Sequence, residues 1–187
     1  MIKLKSIIDS INEAQMLFES PMRMGALNID QFENHGDNFA YSKTIKEKAS
    51  LIDKFKNYEI YQYVVSDKIF DVIINGDFTV AFFNYKVQDD FMIEEKVWQD
   101  PLYMSLCRML IFEYYIKKFK GIISDGLHSF LGERYWKKLL KQSMESGYKT
   151  YVLKDEKDKI PLTSPEEIDQ YFSNGSEGLR YRFVIEK

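Results

Sequence analysis

The sequence predicts a mixed α/β fold in which a mostly antiparallel sheet is flanked by helices on both faces. Two patterns predict this fold. Residues 58–98 form short runs rich in Tyr, Val, Ile and Phe with turn residues between them, which is typical of antiparallel strands joined by tight turns. After residue 98 the chain alternates between helical and strand patterns, which indicates helices packed on a sheet.

Composition excludes several classes of protein. The chain has 187 residues, enough for one domain with a sizeable core, and 26 Lys+Arg against 29 Asp+Glu give a net charge of −3. This balance predicts no global attraction to nucleic acid or acidic membranes. A single cysteine excludes an internal disulfide and, with only 2 histidines, leaves too few ligands for a Cys/His zinc cluster, so we expect no metal. Lacking a long apolar run or a signal-peptide pattern, the chain is expected to be intracellular.

The N-terminal segment is predicted to be an amphipathic helix followed by an irregular arm. Its apolar residues fall at helical spacing between polar ones: Leu4, Ile7, Ile8, Ile11, Ala14 and Phe18. The polar side is not rich in Lys or Arg, so docking on the domain or on a partner is favoured over insertion into a membrane. We therefore divide the chain into an N-terminal extension, residues 1–38, and a folded domain, residues 39–187.

The domain is predicted to begin with a helix over Ser42–Lys56, whose apolar side is formed by Ile45, Ala49, Ile52 and Phe55. Four strands follow: Tyr58–Ser66, Lys68–Ile74, Phe78–Val87 and Phe91–Trp98. The Asn75-Gly76 pair lies between two apolar runs, which predicts a hairpin with a type I′ turn.

The second half alternates helices and strands. We expect a helix over Ser105–Phe119, a strand over Gly121–Asp125 and a helix over Ser129–Ser146 ended by Gly147, then strands over Tyr148–Leu153 and Leu179–Glu186 separated by a short helix near residue 165. The first of these helices is apolar nearly all round, so it should be covered on most sides. Glycine after the next one is typical of a helix terminator with positive φ.

This order of elements, over about residues 40–187, resembles the GNAT superfamily of acyl-CoA-dependent N-acyltransferases. The stretch Ile123-Ser124-Asp125, with Ser129, Gly132 and Trp136 after it, is also similar to GNAT-like proteins of tailed bacteriophages. The resemblance implies a GNAT-like domain and acetyl-CoA or CoA as the cofactor. It also implies that the turn into the helix at residue 105 would approach the cofactor's pyrophosphate.

In that turn the family carries the pattern Arg/Gln-x-x-Gly-x-Gly/Ala, because glycine lets the backbone approach a phosphate at a helix N-terminus. The corresponding cofactor-binding stretch here is Met104, Ser105, Leu106, Cys107 and Arg108, with Trp136 on the later helix. Leu102 stands where the family has Arg or Gln, and Ser105 and Cys107 replace its small residues. Arg108 could meet a phosphate. For Cys107, a buried small residue is favoured over a nucleophile. The signature is degraded.

The resemblance also implies a proton donor and a base. The family's Asn-x-x-Ala-x-x-Leu-Tyr pattern would place its acidic Tyr at Trp136, whose indole is not an acid near neutral pH. Tyr135 is one position away, about 100° around the helix. For the base, the candidates are Glu94 and Glu95. Alternation along a strand sends their side chains to opposite faces, so at most one can face a cleft.

Three functions remain open at this point. The first is a phage-type protein on a GNAT fold with a degraded acyl-CoA site, acting as a virion, assembly or accessory protein with a virion or host protein as partner, in the host cytoplasm or the virion. The second is an active acetyl-CoA-dependent N-acyltransferase. The third, less favoured, is a nucleic-acid-binding module that uses the lysine-rich stretch Lys117–Lys141.

Overall fold

The structure is a computed structural model that describes residues 38–126, 130–154, 158–172 and 181–187. Within these ranges the helices are α1 (Asn38–Lys48), α2 (Leu106–Leu110), α3 (Ile116–Lys118), α4 (Phe130–Glu145) and α5 (Ile168–Tyr171). A π-helical turn, Ile111–Tyr115, joins α2 to α3, and short 3-10 helices cover Pro101–Tyr103 and Pro165–Glu167. The predicted N-terminal helix over residues 4–18 lies outside the described residues, and the boundary drawn at residue 38 stays a prediction.

The described strands are β1 (Ser50–Phe55), β2 (Tyr58–Val65), β3 (Lys68–Asn75), β4 (Phe78–Gln88), β5 (Phe91–Gln99), β6 (Gly121–Ser124), β7 (Lys149–Lys154), β8 (Asp158–Pro161) and β9 (Tyr181–Glu186). They form one nine-stranded sheet in the order β1-β2-β3-β4-β5-β6-β9-β7-β8. β5 and β6 are parallel, whereas β1–β2, β2–β3, β6–β9, β7–β8 and β7–β9 are antiparallel. The predicted mixed α/β class with a mostly antiparallel sheet is confirmed.

By contacts the chain divides into two units. The first contains the described residues up to Asn84 together with Lys96–Cys107, and the second contains Tyr85–Glu95 and Arg108–Lys187. Strands β4 and β5 each pass from one unit to the other.

In the first unit, β1 to β4 are joined by two-residue turns spaced ten residues apart. Lys56, Ser66 and Gly76 begin these turns and have φ angles of 55°, 58° and 61°. Asn75 still belongs to β3, so the last turn consists of Gly76 and Asp77. The predicted hairpin is present, but the type I′ assignment is wrong: among the described residues of this turn only Gly76 has positive φ, a pattern typical of a type II′ turn.

The helix predicted over Ser42–Lys56 is wrong after Lys48, because the chain enters strand β1 at Ser50. Lys54 there lies opposite Glu59 of β2, and the Lys54 Nζ to Glu59 Oε1 distance is 3.2 Å. Pairing with a neighbouring strand overrides the helical spacing of this short segment. The remaining α1 places Ile45 in a buried core with Phe70, Val72, Ile74, Phe82 and Trp98.

In the second unit, β6 lies between β5 and β9. Phe91 to Glu94 pair with Gly121 to Ser124, and the other edge of β6 pairs with β9. Gly121 permits this close approach, since a Cβ there would lie 2.5 Å from the Ile185 carbonyl oxygen and 2.7 Å from the Phe91 ring. The predicted β-α-β unit from β5 through the buried helix to β6 is therefore present.

The other elements of the second unit follow the sequence closely, with one exception. Gly147 ends α4 with a φ of 80°, as predicted for a glycine terminator. Strand β8 was not predicted, because it is only four residues long and contains Pro161; it pairs with β7 as an edge strand. The N-cap predicted at Ser129 and the start of the last strand at Leu179 lie outside the described residues.

Candidate functional site

Glu94 and Glu95 are neighbours in β5 with opposite environments. Glu94 lies opposite Ser124, the last residue of β6, and is only 5% exposed. The Glu95 side chain is 23% exposed and forms an ion pair with Lys86, with 3.3 Å between Nζ and Oε1. As alternation along a strand requires, only Glu94 points into the interior.

Two consecutive residues of α4 hydrogen-bond to the buried carboxyl group of Glu94. The Tyr135 hydroxyl donates to Oε2 at 3.3 Å, and the Trp136 indole N–H also donates to this carboxyl group. Trp136 is 2% exposed, and its ring stacks on Phe183 of β9 with centroids 6.4 Å apart. Although Tyr135 lies about 100° around the helix from Trp136, both side chains reach Glu94. We call Glu94, Tyr135 and Trp136 the Glu94 centre.

The carboxyl group of the Glu94 centre has a raised pKa. Burial raises the pKa of Glu94 from 4.5 to about 8, and the nearby negative charge of Asp125 acts in the same direction. The hydrogen bonds from Tyr135 and Trp136 favour the charged form and lower the pKa, but they do not offset the loss of solvation. A buried acid with a pKa close to neutral can both accept and release a proton at physiological pH.

Ser124 fixes the strand end next to this acid. Its hydroxyl donates to the Asp125 carbonyl oxygen at 2.8 Å and accepts the Phe183 backbone N–H at 2.9 Å. The residue is completely buried. The Ser-Asp pair that marked the resemblance to phage proteins thus has a structural role here, since it joins β6 to β9 and positions Asp125.

The turn before α2 uses its polar groups internally. The Cys107 backbone N–H donates to Gln99 Oε1 at 3.0 Å, and the Cys107 thiol lies 3.4 Å from the Trp98 carbonyl oxygen. Cys107 is 2% exposed, which agrees with a buried small residue rather than a nucleophile. Ser105 has a φ of 69°, a left-handed conformation that favours glycine.

The predicted cofactor-binding residues differ in exposure and belong to both units. Leu106 and Cys107 are buried, whereas Met104 is 66% exposed. The first unit contains residues 104–107, and the second contains Arg108 together with the Glu94 centre. Sequence reasoning missed Gln99, because a glutamine at a strand end gives no signal until its side chain is seen to cap a helix.

This turn fits an acyl-CoA pyrophosphate poorly. The family's glycines are replaced by Ser105 and Cys107, and the Cys107 amide already has an acceptor in Gln99. Leu102, at the position of the family's Arg or Gln, is 89% exposed and has no polar group to offer. A phosphate would have to displace the glutamine side chain to reach this amide.

Comparison with known proteins gives a likeness in structure but none in sequence. No protein-family profile and no curated protein matches this sequence. Among solved structures, the chain is similar to a putative acetyltransferase of the GNAT family from Bacteroides thetaiotaomicron. The match has 15% sequence identity and a TM-score of 0.37, and it covers 79% of this chain and 81% of that one.

The lysine-rich stretch is partly engaged within the second unit. Lys137 forms ion pairs with Glu133 and Asp169, each at 2.7 Å, and Lys118 lies 4.0 Å from the centre of the Tyr114 ring. The nucleic-acid hypothesis stays a prediction. Among the described residues, no group of three or more His, Cys, Asp or Glu side chains could hold a metal ion. The described helices include none that is long and apolar enough to cross a bilayer.

Proposed function

We propose that this chain is a GNAT-type scaffold whose acyl-CoA site is degraded and that it acts by binding a protein partner. The parallel β5–β6 pair and the helix between them supply the framework that the sequence resemblance implies. The turn that would hold the cofactor has no glycine and presents exposed apolar side chains, Leu102 and Met104, in place of a phosphate cradle. Exposed apolar groups of this kind suit a protein surface better than a pyrophosphate.

The observation that carries this proposal is the hydrogen bond from the Cys107 amide to Gln99. Free amides at the start of a helix are what make it an anion site. At 3.0 Å the glutamine oxygen occupies the position that a phosphate oxygen would take. A bound phosphate would therefore have to replace an existing hydrogen bond instead of satisfying a free donor, which removes most of the gain.

Calorimetry with CoA and acetyl-CoA tests the proposal. We expect no binding at micromolar concentrations for the natural sequence. A Gln99→Ala, Ser105→Gly double variant frees the amide and restores one glycine, so we expect it to gain weak binding. The matched control is Gln62→Ala, which removes a glutamine of the first unit that bonds Asp71 at 2.9 Å, away from the turn. Micromolar binding of acetyl-CoA by the natural sequence would contradict the proposal.

We propose that the partner is a virion or host protein, as the resemblance to phage GNAT-like proteins implies, and that the chain works in the host cytoplasm or in the virion. This part is tested by co-purification. Antibody against the chain should recover it with assembled particles or with one host protein during infection. Recovery of the free chain alone would count against a partner of this class.

One observation favours a second function, N-acyl transfer. The Glu94 carboxyl group has a pKa of about 8 and hydrogen bonds from Tyr135 and Trp136. This suits a base that takes a proton from an attacking amine at pH 8 or above, where the carboxyl group is ionised. If the chain acetylates amines, Glu94→Gln should abolish turnover while Glu95→Gln retains it. Equal turnover of the two variants would exclude Glu94 as the base.

A further inference from the structure

Three exposed apolar side chains lie at one end of the first unit. Phe78 is 53% exposed, Leu102 89% and Met104 66%. Phe78 follows the Gly76-Asp77 turn, and Leu102 and Met104 follow the end of β5. Asp100, the residue after β5, donates its backbone N–H to the Val80 carbonyl oxygen of β4 at 2.9 Å. The two chain segments therefore meet at the same end of the sheet. We call these three residues the Leu102 patch.

The loop that carries Leu102 is held in place by its neighbours. Asp100 accepts the Leu102 backbone N–H at 2.9 Å. The Tyr103 hydroxyl accepts the Asn75 side-chain N–H at 3.3 Å, and the Tyr103 ring meets the Tyr58 ring edge-on at 6.4 Å. An apolar group held in a fixed position loses little conformational entropy on binding, which is the usual property of an interaction site.

The described part of the chain begins at this same end of the first unit. Helix α1 begins at Asn38, and one turn later the Ser42 hydroxyl donates to the Asp77 carbonyl oxygen. Lys46 donates to the Gly76 carbonyl at 2.7 Å. Helix α1 ends at Lys48, and β1 begins at Ser50, opposite Gln62. The first described residues of the chain are thus at the end of the unit that carries the Leu102 patch.

We propose that residues 4–18 of the same chain dock their apolar stripe on the Leu102 patch and cover the turn at Met104. The stripe, which includes Ile7 and Ile11, has the spacing of a helix face. The 19 residues from 19 to 37 can span up to about 65 Å, so reach is no obstacle. A tethered segment also competes at an effective concentration in the millimolar range, which favours it over a separate partner.

A second exposed group, Leu51, Ile52 and Val64, lies near the other end of the first unit, where β1 begins opposite Gln62. The chain enters α1 at the opposite end, so this group is not the proposed docking site. It provides a matched control instead. Val64 is 59% exposed and Met104 66%, and cysteine at either position should react equally if nothing covers them.

The experiment compares thiol alkylation rates in the full chain. The Met104→Cys and Val64→Cys variants are each reacted with iodoacetamide. The alkylation rate of each variant is divided by its rate in denaturant. The unsubstituted chain gives the background reaction of the buried Cys107. We expect Met104→Cys to react roughly tenfold or more slowly than Val64→Cys. Adding Ile7→Asp and Ile11→Asp should remove this difference, whereas Ser10→Asp and Asn12→Asp, on the polar side of the segment, should keep it.

Equal normalised rates at the two positions would overturn the proposal. So would protection of Met104→Cys that survives the Ile7→Asp, Ile11→Asp pair, because another element would then cover the patch. Protection that disappears on dilution would assign the patch to a second copy of the chain and would also overturn docking within one chain. Binding of CoA has no part in this readout, so failure of docking is distinguishable from failure of the degraded-site proposal. Docking would reserve Leu102 and Met104 for residues 4–18 and would place the surface for a separate partner elsewhere on the chain.

Discussion

The Glu94 centre and the turn at Met104–Cys107 differ in what their polar groups are free to do. At the turn, the Cys107 amide and thiol both bond to the protein itself, through Gln99 and Trp98. In the Glu94 centre, hydrogen bonds from Tyr135 and Trp136 leave a carboxyl group that still changes its charge near neutral pH. At the turn the Cys107 amide is thus already bonded within the protein, whereas the centre keeps a titratable proton.

Under the proposed function, an anion-binding turn and a buried acid are features that can be lost independently of each other. Filling an anion site takes one side chain, because a single glutamine oxygen satisfies the amide. Removing a buried acid takes more, because the groups packed around it, such as the Trp136 indole donor, would then lack a partner. The presence of Glu94 is thus compatible with the proposed degradation of the cofactor turn.

The largest effect is expected from Gly121→Ala, which tests how firmly the strand carrying Ser124 is held. The added methyl group would overlap the Ile185 carbonyl oxygen, a backbone atom, and the Phe91 ring. We expect a loss of about 3–4 kcal/mol in the free energy of unfolding, measured with urea. Gly147→Ala is the control: its methyl group would meet nothing within 4 Å, so only the positive φ costs energy, about 1 kcal/mol.

Glu94→Gln should change how stability depends on pH. Between the ordinary pKa of 4.5 and the folded value of about 8, the unfolded chain ionises Glu94 while the folded chain keeps it protonated. The unfolded state then binds fewer protons, so stability falls as pH rises through this window, by up to about 1.4 kcal/mol per pH unit. Glutamine removes this loss. Relative to the natural sequence, the variant should gain roughly 3 kcal/mol between pH 5 and pH 8.

Urea titrations at several pH values provide the measurement, and Glu95→Gln is the matched control because Glu95 lies at the surface beside Lys86. If the stability difference between Glu94→Gln and the natural sequence stays constant from pH 5 to pH 8, Glu94 does not have a raised pKa. The contrast with the turn would then disappear.

Tyr135→Phe should raise the pKa of Glu94 further. The Tyr135 hydroxyl stabilises the charged carboxylate, and removing it leaves burial and Asp125 with less opposition. We expect the decline in stability with pH to extend to a higher pH, with a loss of about 1 kcal/mol from the missing hydrogen bond. An unchanged pH profile would show that this hydrogen bond does not reach the acid in solution.

The strands and helices could be predicted because their signals are local. Gly76 marks a turn and Gly147 a helix end wherever they occur in the chain, and the alternating apolar runs of β2 to β5 need no distant partner to be recognised. Strand β1 was missed because its identity depends on pairing with β2. Sequence spacing also predicted correctly that the Glu94 and Glu95 side chains point to opposite faces. It did not indicate which of the two is buried.

The candidate site depended on contacts between residues far apart in the chain. Glu94 and Tyr135 are 41 positions apart, and nothing in either segment indicates that they meet. The role of Gln99 depends on the direction of one side chain at the end of β5. Periodicity describes which face a residue occupies, whereas the pKa of an acid depends on everything that packs over it.

Ser105→Gly should stabilise the turn. Ser105 has a φ of 69°, which costs a residue with a side chain more than it costs glycine. Glycine also gives the unfolded chain more conformational freedom, which partly offsets this gain. We therefore expect a net increase of about 0.5 kcal/mol in the free energy of unfolding. Ser146→Gly, at the end of α4, serves as the control because Ser146 has no positive φ and should lose stability. A loss at both positions would mean that Ser105 contributes contacts worth more than its strain.

Glu95→Gln should have the smallest effect of all. The ion pair with Lys86 lies between adjacent strands, and both side chains are partly solvated, 23% exposed for Glu95 and 35% for Lys86. Solvent screening limits such a pair to about 0.5 kcal/mol, and added salt should reduce it further. A double-mutant cycle with Lys86→Met measures the coupling. A coupling of several kcal/mol would show that the Glu95–Lys86 pair is shielded from solvent as strongly as a buried pair, and the contrast between a solvated Glu95 and a buried Glu94 would then have to be abandoned.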